Sequence, residues 1–195
     1  MAYLKVITGP MFSGKTEELI RALKRAEIQG RKVLVFKPAV DTRTGTAIVA
    51  RQKSDLGKKE FTASLSMPAT PIRSAAELRA HIHQYHPEVI GFDEAHFFDS
   101  WFSDFIIQLL QENKDQDFRI YISGLDTDFK ARPFRVIPEL LAIADEVDKV
   151  TAVCFKCGKP APLSQRLILS TKQIEVGDFD LYEARCRECY TLPED

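Results

Sequence analysis

Gly9-Pro10-Met11-Phe12-Ser13-Gly14-Lys15-Thr16 fills the phosphate-loop pattern G-x-x-x-x-G-K-[ST] without a gap. Before it, Leu4-Lys5-Val6-Ile7 is β-type; after it, Leu19, Ile20, Leu23 and Ile28 mark one face of a helix. A strand that turns through glycine into a helix start aims several backbone N–H groups at one point. The positive end of the helix dipole adds to that field. In this pattern Gly9, Pro10, Met11, Phe12, Ser13 and Gly14 form the cradle, Lys15 reaches the terminal phosphates, and the Thr16 hydroxyl ligates Mg²⁺. A glycine-containing turn that matches by chance is the competing reading, and the flanking strand and helix weigh against it.

Outward from the loop, the chain alternates. Gly30 stands where a helix ends, and Lys32-Val33-Leu34-Val35-Phe36 reads as a strand closed by Lys37-Pro38. From Asp41 to about Ser66 the pattern weakens into a polar stretch carrying Arg43, Arg51, Lys53, Lys58 and Lys59, read as a hairpin-like excursion or a solvated loop. Ser74-Ala75-Ala76-Glu77 is a capping box opening a helix that stops near Tyr85. Val89-Ile90-Gly91-Phe92 is a strand, Ser100 to Gln111 a helix, Phe118 to Ile122 a strand, Pro138 to Asp145 a short helix, and Val147 to Val153 a final strand. Such alternation specifies an α/β fold with a mostly parallel sheet covered on both faces. The composition shifts near Val153, dividing the chain into a core, 1–150, and a C-terminal segment, 151–195.

A phosphate loop needs a carboxylate near its metal, and Asp93 at the end of an apolar strand is the candidate. Glu94 follows at once. Side chains of neighbouring strand residues face opposite ways, so Glu94 is expected to face a different pocket and to serve as a general base. Asp126, Asp128 and Phe129 follow another strand end, where ligands bind in open α/β sheets.

The net charge of −1 over 195 residues, with a pI near 6.4, argues against a polyanionic partner. No apolar run reaches membrane-spanning length, and the N-terminus passes straight into a strand rather than a signal peptide, so a cytoplasmic protein is expected. Cys154-Phe155-Lys156-Cys157 and Cys186-Arg187-Glu188-Cys189 are paired C-x-x-C knuckles, the pattern of a closed four-thiolate zinc site; a redox pair is the alternative. His81, His83 and His86 sit near a helix C-terminus, where histidine suits the dipole. His96 either titrates beside its carboxylate neighbour or hydrogen-bonds locally.

These residues together resemble the cytosolic, zinc-containing type of thymidine kinase, from residue 3 to about 190. The resemblance is carried by Gly9 to Thr16, Lys37-Pro38 with Asp41-Thr42-Arg43, Asp93-Glu94-Ala95-His96-Phe97-Phe98, Gly124 to Phe129 with Pro133-Phe134, Gln165-Arg166-Leu167 and the four cysteines. It implies a RecA-like core, a small zinc domain whose lasso loop covers the nucleoside, and transfer of the ATP γ-phosphate to the 5′-hydroxyl of thymidine. Glu94 falls on the family's base. Phe97, Leu125, Phe129 and Phe134 fall where the nucleoside packs, and Ser164, Val176, Gly177 and Tyr182 on the lasso. Asp41 and Arg43 fall near the catalytic centre. The resemblance also implies a homotetramer and feedback inhibition by dTTP. The chain departs from the pattern at His96, where Gln is usual, at Gly177-Asp178, where two glycines are usual, and at Phe179 and Leu181, where polar residues are common. An ATPase or GTPase with water as acceptor, and a nucleic-acid ribbon using Lys156, Lys159, Arg185 and Arg187, are the alternative functions.

Overall fold

The computed structural model describes residues 1–53, 61–168 and 181–192. Val176, Gly177, Asp178 and Phe179 of the expected lasso, and Lys58 and Lys59 of the polar excursion, lie outside the described residues.

The chain begins β1 (Tyr3–Thr8), α1 (Lys15–Ile28), β2 (Val33–Pro38), then a hairpin of β3 (Ala47–Lys53) and β4 (Phe61–Pro68), and β5 (Thr70–Ile72). It continues through α2 (Ala75–Tyr85), β6 (Val89–Phe92), a 3₁₀ turn at Ala95–Phe97, α3 (Trp101–Glu112), β7 (Arg119–Gly124), α4 (Ile137–Ile143) and β8 (Glu146–Lys149). The last elements are β9 (Ala152–Val153), β10 (Pro160–Ala161), β11 (Leu163–Arg166) and β12 (Tyr182–Arg185).

Six strands form one sheet in the order β5-β2-β6-β7-β1-β8, and every pairing in it is parallel. Alternation along the strands sends Leu4, Val6, Phe36, Phe92, Ile120 and Ile122 into one apolar cluster with α2, α3 and α4. The opposite face sends Ile7, Val35 and Val89 against Leu19, Ile20 and Leu23 of α1. Gly91 permits that contact, because a Cβ there would stand 2.5 Å from Leu23 Cδ1. Ile28 does not join the buried stripe: as the last residue of α1 it is 85% exposed.

The polar excursion is an antiparallel hairpin whose Ile48, Ala50 and Met67 pack on the α1 face of the sheet. Ser74 caps α2 by accepting from the Glu77 N–H at 3.2 Å. The return bond of the expected capping box lands one residue earlier, from the Arg73 N–H to Glu77 Oε2 at 2.8 Å. The final strand expected over Val147 to Val153 is two strands. β8 closes the parallel sheet beside β1, and β9 pairs with β10 in a separate antiparallel ladder. His86 ends α2 in a left-handed conformation, and His81 lies in ring contact with Tyr85.

Candidate active site

Residues following β1, β2, β6 and β7 converge on one cavity at the C-terminal edge of the sheet. It is lined by Met11 to Glu17, Asp41, Arg43, Asp93, Glu94, His96, Phe97, Leu125, Thr127, Asp128, Phe129 and Phe134. The turn before the hairpin adds Thr44, the hairpin adds Val49 and Ala50, and the C-terminal segment adds Ser164 and Tyr182. In an open parallel sheet this edge gathers helix N-termini and strand-end loops, so polar groups collect there.

The phosphate loop starts at Gly9, whose φ of 147 and close approach to the Val150 carbonyl leave no room for a side chain; a Cβ would lie 2.1 Å from that oxygen. Gly9 and Pro10 thus stand behind the cavity rather than on its wall. No side chain caps the N-terminus of α1, so its first N–H groups remain available to an anion. Lys15 is buried and folds back to donate to Pro10 O at 2.6 Å, and desolvation depresses its pKa. Thr16 Oγ1 donates to both oxygens of Asp93 at 3.2 and 3.1 Å. Ser123 Oγ, on the intervening strand β7, donates to Asp93 Oδ1. Burial, then the Glu94 charge, raises the Asp93 pKa despite those two donors. A hydroxyl and a carboxylate this close offer two hard oxygen ligands, the donor set that Mg²⁺ prefers.

Glu94 corrects the strand-alternation argument. β6 ends at Phe92, and Glu94 turns left-handed with φ 52 and ψ 38 at the start of the 3₁₀ turn. That turn brings both carboxylates to one cavity instead of two pockets. Glu94 Oε1 accepts from Arg43 Nη2, and Arg43 Nε donates to Asp41 Oδ1 at 2.6 Å. Asp41 Oδ2 in turn meets Lys37 Nζ at 3.0 Å, and Lys37 is fully enclosed. Burial would raise the Glu94 pKa, but the Arg43 guanidinium beside it, with Lys15, holds the carboxyl well below its usual range. Asp41 is likewise held low: burial opposes its charge and the Arg43 hydrogen bond overcomes it.

His96 is fully buried, and its role is local. The Leu125 N–H donates to Nδ1 at 3.1 Å, so the ring proton sits on Nε2, 3.4 Å from Glu94 Oε2. Desolvation pushes its pKa down to about 4 despite the carboxylate, so the imidazole is neutral at physiological pH.

The apolar wall combines Phe97, Leu125, Phe129 and Phe134. Arg166 lies 3.5 Å over the Phe129 ring and donates to Tyr182 Oη at 2.8 Å, tying the C-terminal segment to the cavity. Ser164 Oγ accepts from the Met11 N–H at 3.0 Å. Asp126 pairs with Lys149 at 2.9 Å, and Asp128 accepts from the Lys130 and Arg132 N–H groups, so these two carboxylates also shape their loop.

Lys37, Val49 and Ala50 were not singled out as site residues from the sequence. The signals for Lys37 were its place at the close of an apolar strand and in the Lys37-Pro38 pair of the family resemblance. The hairpin residues carried none.

The ligand sulfurs of Cys154, Cys157, Cys186 and Cys189 all lie within 4.8 Å of one another, with Cys157 and Cys186 3.5 Å apart. Tetrahedral zinc–thiolate bonds of about 2.3 Å place sulfurs about 3.8 Å apart, so the set fits one zinc ion. Burial disfavours the Cys154 thiolate, yet the N–H groups of Cys186, Cys157 and Lys156 outweigh it and bring the thiol down to about 6. Among the described residues this is the one cluster of potential metal-ligating His, Cys, Asp and Glu found, and His81, His83 and His86 take no part in it. Of the basic residues considered for nucleic acid, Lys159 pairs with Glu188 at 2.7 Å and Arg185 is buried beside Glu183. No helix among the described residues is long and apolar enough to cross a membrane.

A family model described as thymidine kinase matches residues 2–190. The chain is similar to a thymidine kinase of Bacteroides fragilis, 44% identical over 194 residues, covering 98% of this chain and 89% of that protein. It is also similar to a thymidine kinase of Bacteroides thetaiotaomicron, 43% identical over 187 residues, covering 96% of this chain and 86% of that protein.

Proposed function

The chain belongs to the thymidine kinase family, and we propose that it transfers the γ-phosphate of ATP to the 5′-hydroxyl of thymidine, giving dTMP and ADP, with deoxyuridine as a second acceptor. One observation carries the residue assignment. A phosphate loop, a half-buried carboxylate held ionised and an aromatic wall line a single cavity.

Gly9 to Thr16 hold the phosphates, and Thr16 with Asp93 would hold Mg²⁺. When bound, that ion neutralises phosphate charge. Glu94 accepts the proton of the 5′-hydroxyl as its oxygen bonds to the γ-phosphorus and the bond to the β-phosphate oxygen breaks. Arg43 keeps Glu94 ionised, but it also weakens it as a base. A shift of Arg43 toward the transferring phosphoryl group frees the carboxylate as negative charge develops; Lys15 acts on the same charge. Asp41 and Lys37 fix the resting position of Arg43. Phe97, Leu125, Phe129, Phe134, Ser164 and Tyr182, with Val176 and Gly177, contact the nucleoside in this reading. In this reading the lasso excludes water as a competing acceptor.

We read residues 1–150 as the kinase core and 151–195 as the zinc-binding lasso domain, with a structural zinc on the four cysteines. The family resemblance supports a cytoplasmic homotetramer inhibited by dTTP. Diphosphate release from Mg·ATP, measured across a panel of nucleosides, tests the activity. Release that requires thymidine is expected; release indifferent to every nucleoside would instead indicate an ATPase.

A further inference from the structure

Phe12 has a backbone that a bulky residue adopts only under constraint, left-handed with φ 66, inside the loop that receives the phosphates. The cysteine module is in contact with it. The Phe12 ring stacks on Phe155, with centroids 5.5 Å apart and planes 28° from parallel. It also packs against the small apolar cluster that contains Cys154 and Cys186. Phe155 is the residue between Cys154 and Lys156 in the first knuckle, so the turn that presents the sulfurs also presents this ring. One residue before Phe12, the Met11 N–H donates to Ser164 Oγ, a buried hydroxyl on β11 of the same module. Two consecutive residues of the phosphate loop are therefore in contact with the C-terminal segment.

We propose that Phe155 is a positioning residue for the ATP phosphates. Closure of the knuckle fixes the Phe155 ring, the ring holds Phe12 left-handed, and that turn aims the amides of the loop at one anion. Zinc and ATP are then coupled without touching: each binds more tightly when the other is present, by the same factor. The coupling rests on the reading of Gly9 to Thr16 as the ATP site.

The test uses the full zinc-loaded chain and three measurements: Mg·ATP affinity by calorimetry without thymidine, zinc per chain by atomic absorption, and the KM for thymidine. Phe155→Ala is expected to weaken Mg·ATP about tenfold, the fold-change expected for an aromatic stack, with zinc content unchanged and the thymidine KM within about twofold. Phe155→Tyr restores ATP affinity. A merely structural loss of the module would weaken thymidine at least as much as ATP. Wild-type Mg·ATP affinity in Phe155→Ala overturns the proposal. Should that variant lose zinc, wild-type protein decides. Saturating Mg·ATP must raise zinc affinity in competition with a chelator, and zinc affinity indifferent to Mg·ATP overturns the coupling. Absence of Mg·ATP binding to the wild-type protein would instead remove the phosphate-loop reading itself.

Discussion

The two halves of the cavity, the one we assign to the phosphates and the one we assign to the nucleoside, are built on different principles. The phosphate half stands on β1, β6 and β7, adjacent in one parallel sheet, and its polar groups are fixed by one another: Thr16 and Ser123 hold Asp93, and Arg43 holds Glu94. The nucleoside half draws its wall from strand-end loops, a hairpin and the cysteine module, joined by contacts such as Arg166 over Phe129. Chemistry with charged intermediates benefits from groups that need no reorganisation, and a continuous sheet supplies them. Recognition of a planar base by ring contact tolerates a surface assembled from separate pieces.

The largest effect should come from the phosphate half. Glu94→Gln keeps shape and hydrogen-bonding capacity but cannot accept a proton. Turnover should fall by on the order of a hundredfold or more, while Mg·ATP affinity stays within about twofold. Steady-state kinetics with calorimetry checks both. Turnover near the wild-type rate would remove Glu94 as the base and, with it, the division of labour between the halves.

The same contrast explains what the sequence made legible. Gly9 to Thr16 and the paired knuckles are contiguous because backbone amides and thiols must be presented together, so their chemistry is written locally. Asp93 was legible because it directly follows an apolar strand. Glu94 lies on the cavity, but the geometric reason for singling it out fails, since the strand ends one residue before Asp93 and a left-handed turn replaces alternation. Lys37 under Asp41, Val49 and Ala50 on the cavity wall, and Phe155 on Phe12 depend on chain segments meeting in space. No local period encodes such meetings. Ile28 misled because helical periodicity runs to the last residue of α1, whereas burial stops short of it.

Removing one zinc ligand should come next in size and should cross the boundary between halves. Cys154→Ser is expected to lose bound metal and lower kcat/KM for thymidine by at least the roughly 10- to 100-fold that loss of a metal-supporting group costs. It should also weaken Mg·ATP, because Phe12 rests on this module. Metal analysis beside kinetics reads both. By contrast, Phe129→Ala should act on one half alone, raising the thymidine KM about tenfold through lost ring contact and leaving the ATP KM unchanged. An equal rise in both constants would show that the two halves are not separable.

His96 sits where the halves meet, and its effect is the smallest at neutral pH. Its pKa lies near 4 in the folded chain against about 6.5 when unfolded, so the folded state binds this proton less readily. The associated stability is fully present above about pH 6.5 and is lost as pH falls from there toward 4, reaching about 3 kcal/mol. Protonation turns Nδ1 into a donor facing the Leu125 N–H, which is why the cost is local. Gln at this position offers an acceptor and a donor without titrating. Urea unfolding of His96→Gln from pH 7.5 to 5 should therefore match wild type at the upper end and lose stability less steeply below pH 6.5. Parallel curves would show that the imidazole is not held neutral, and that the joint between base and nucleoside wall is looser than this hydrogen-bond pattern requires.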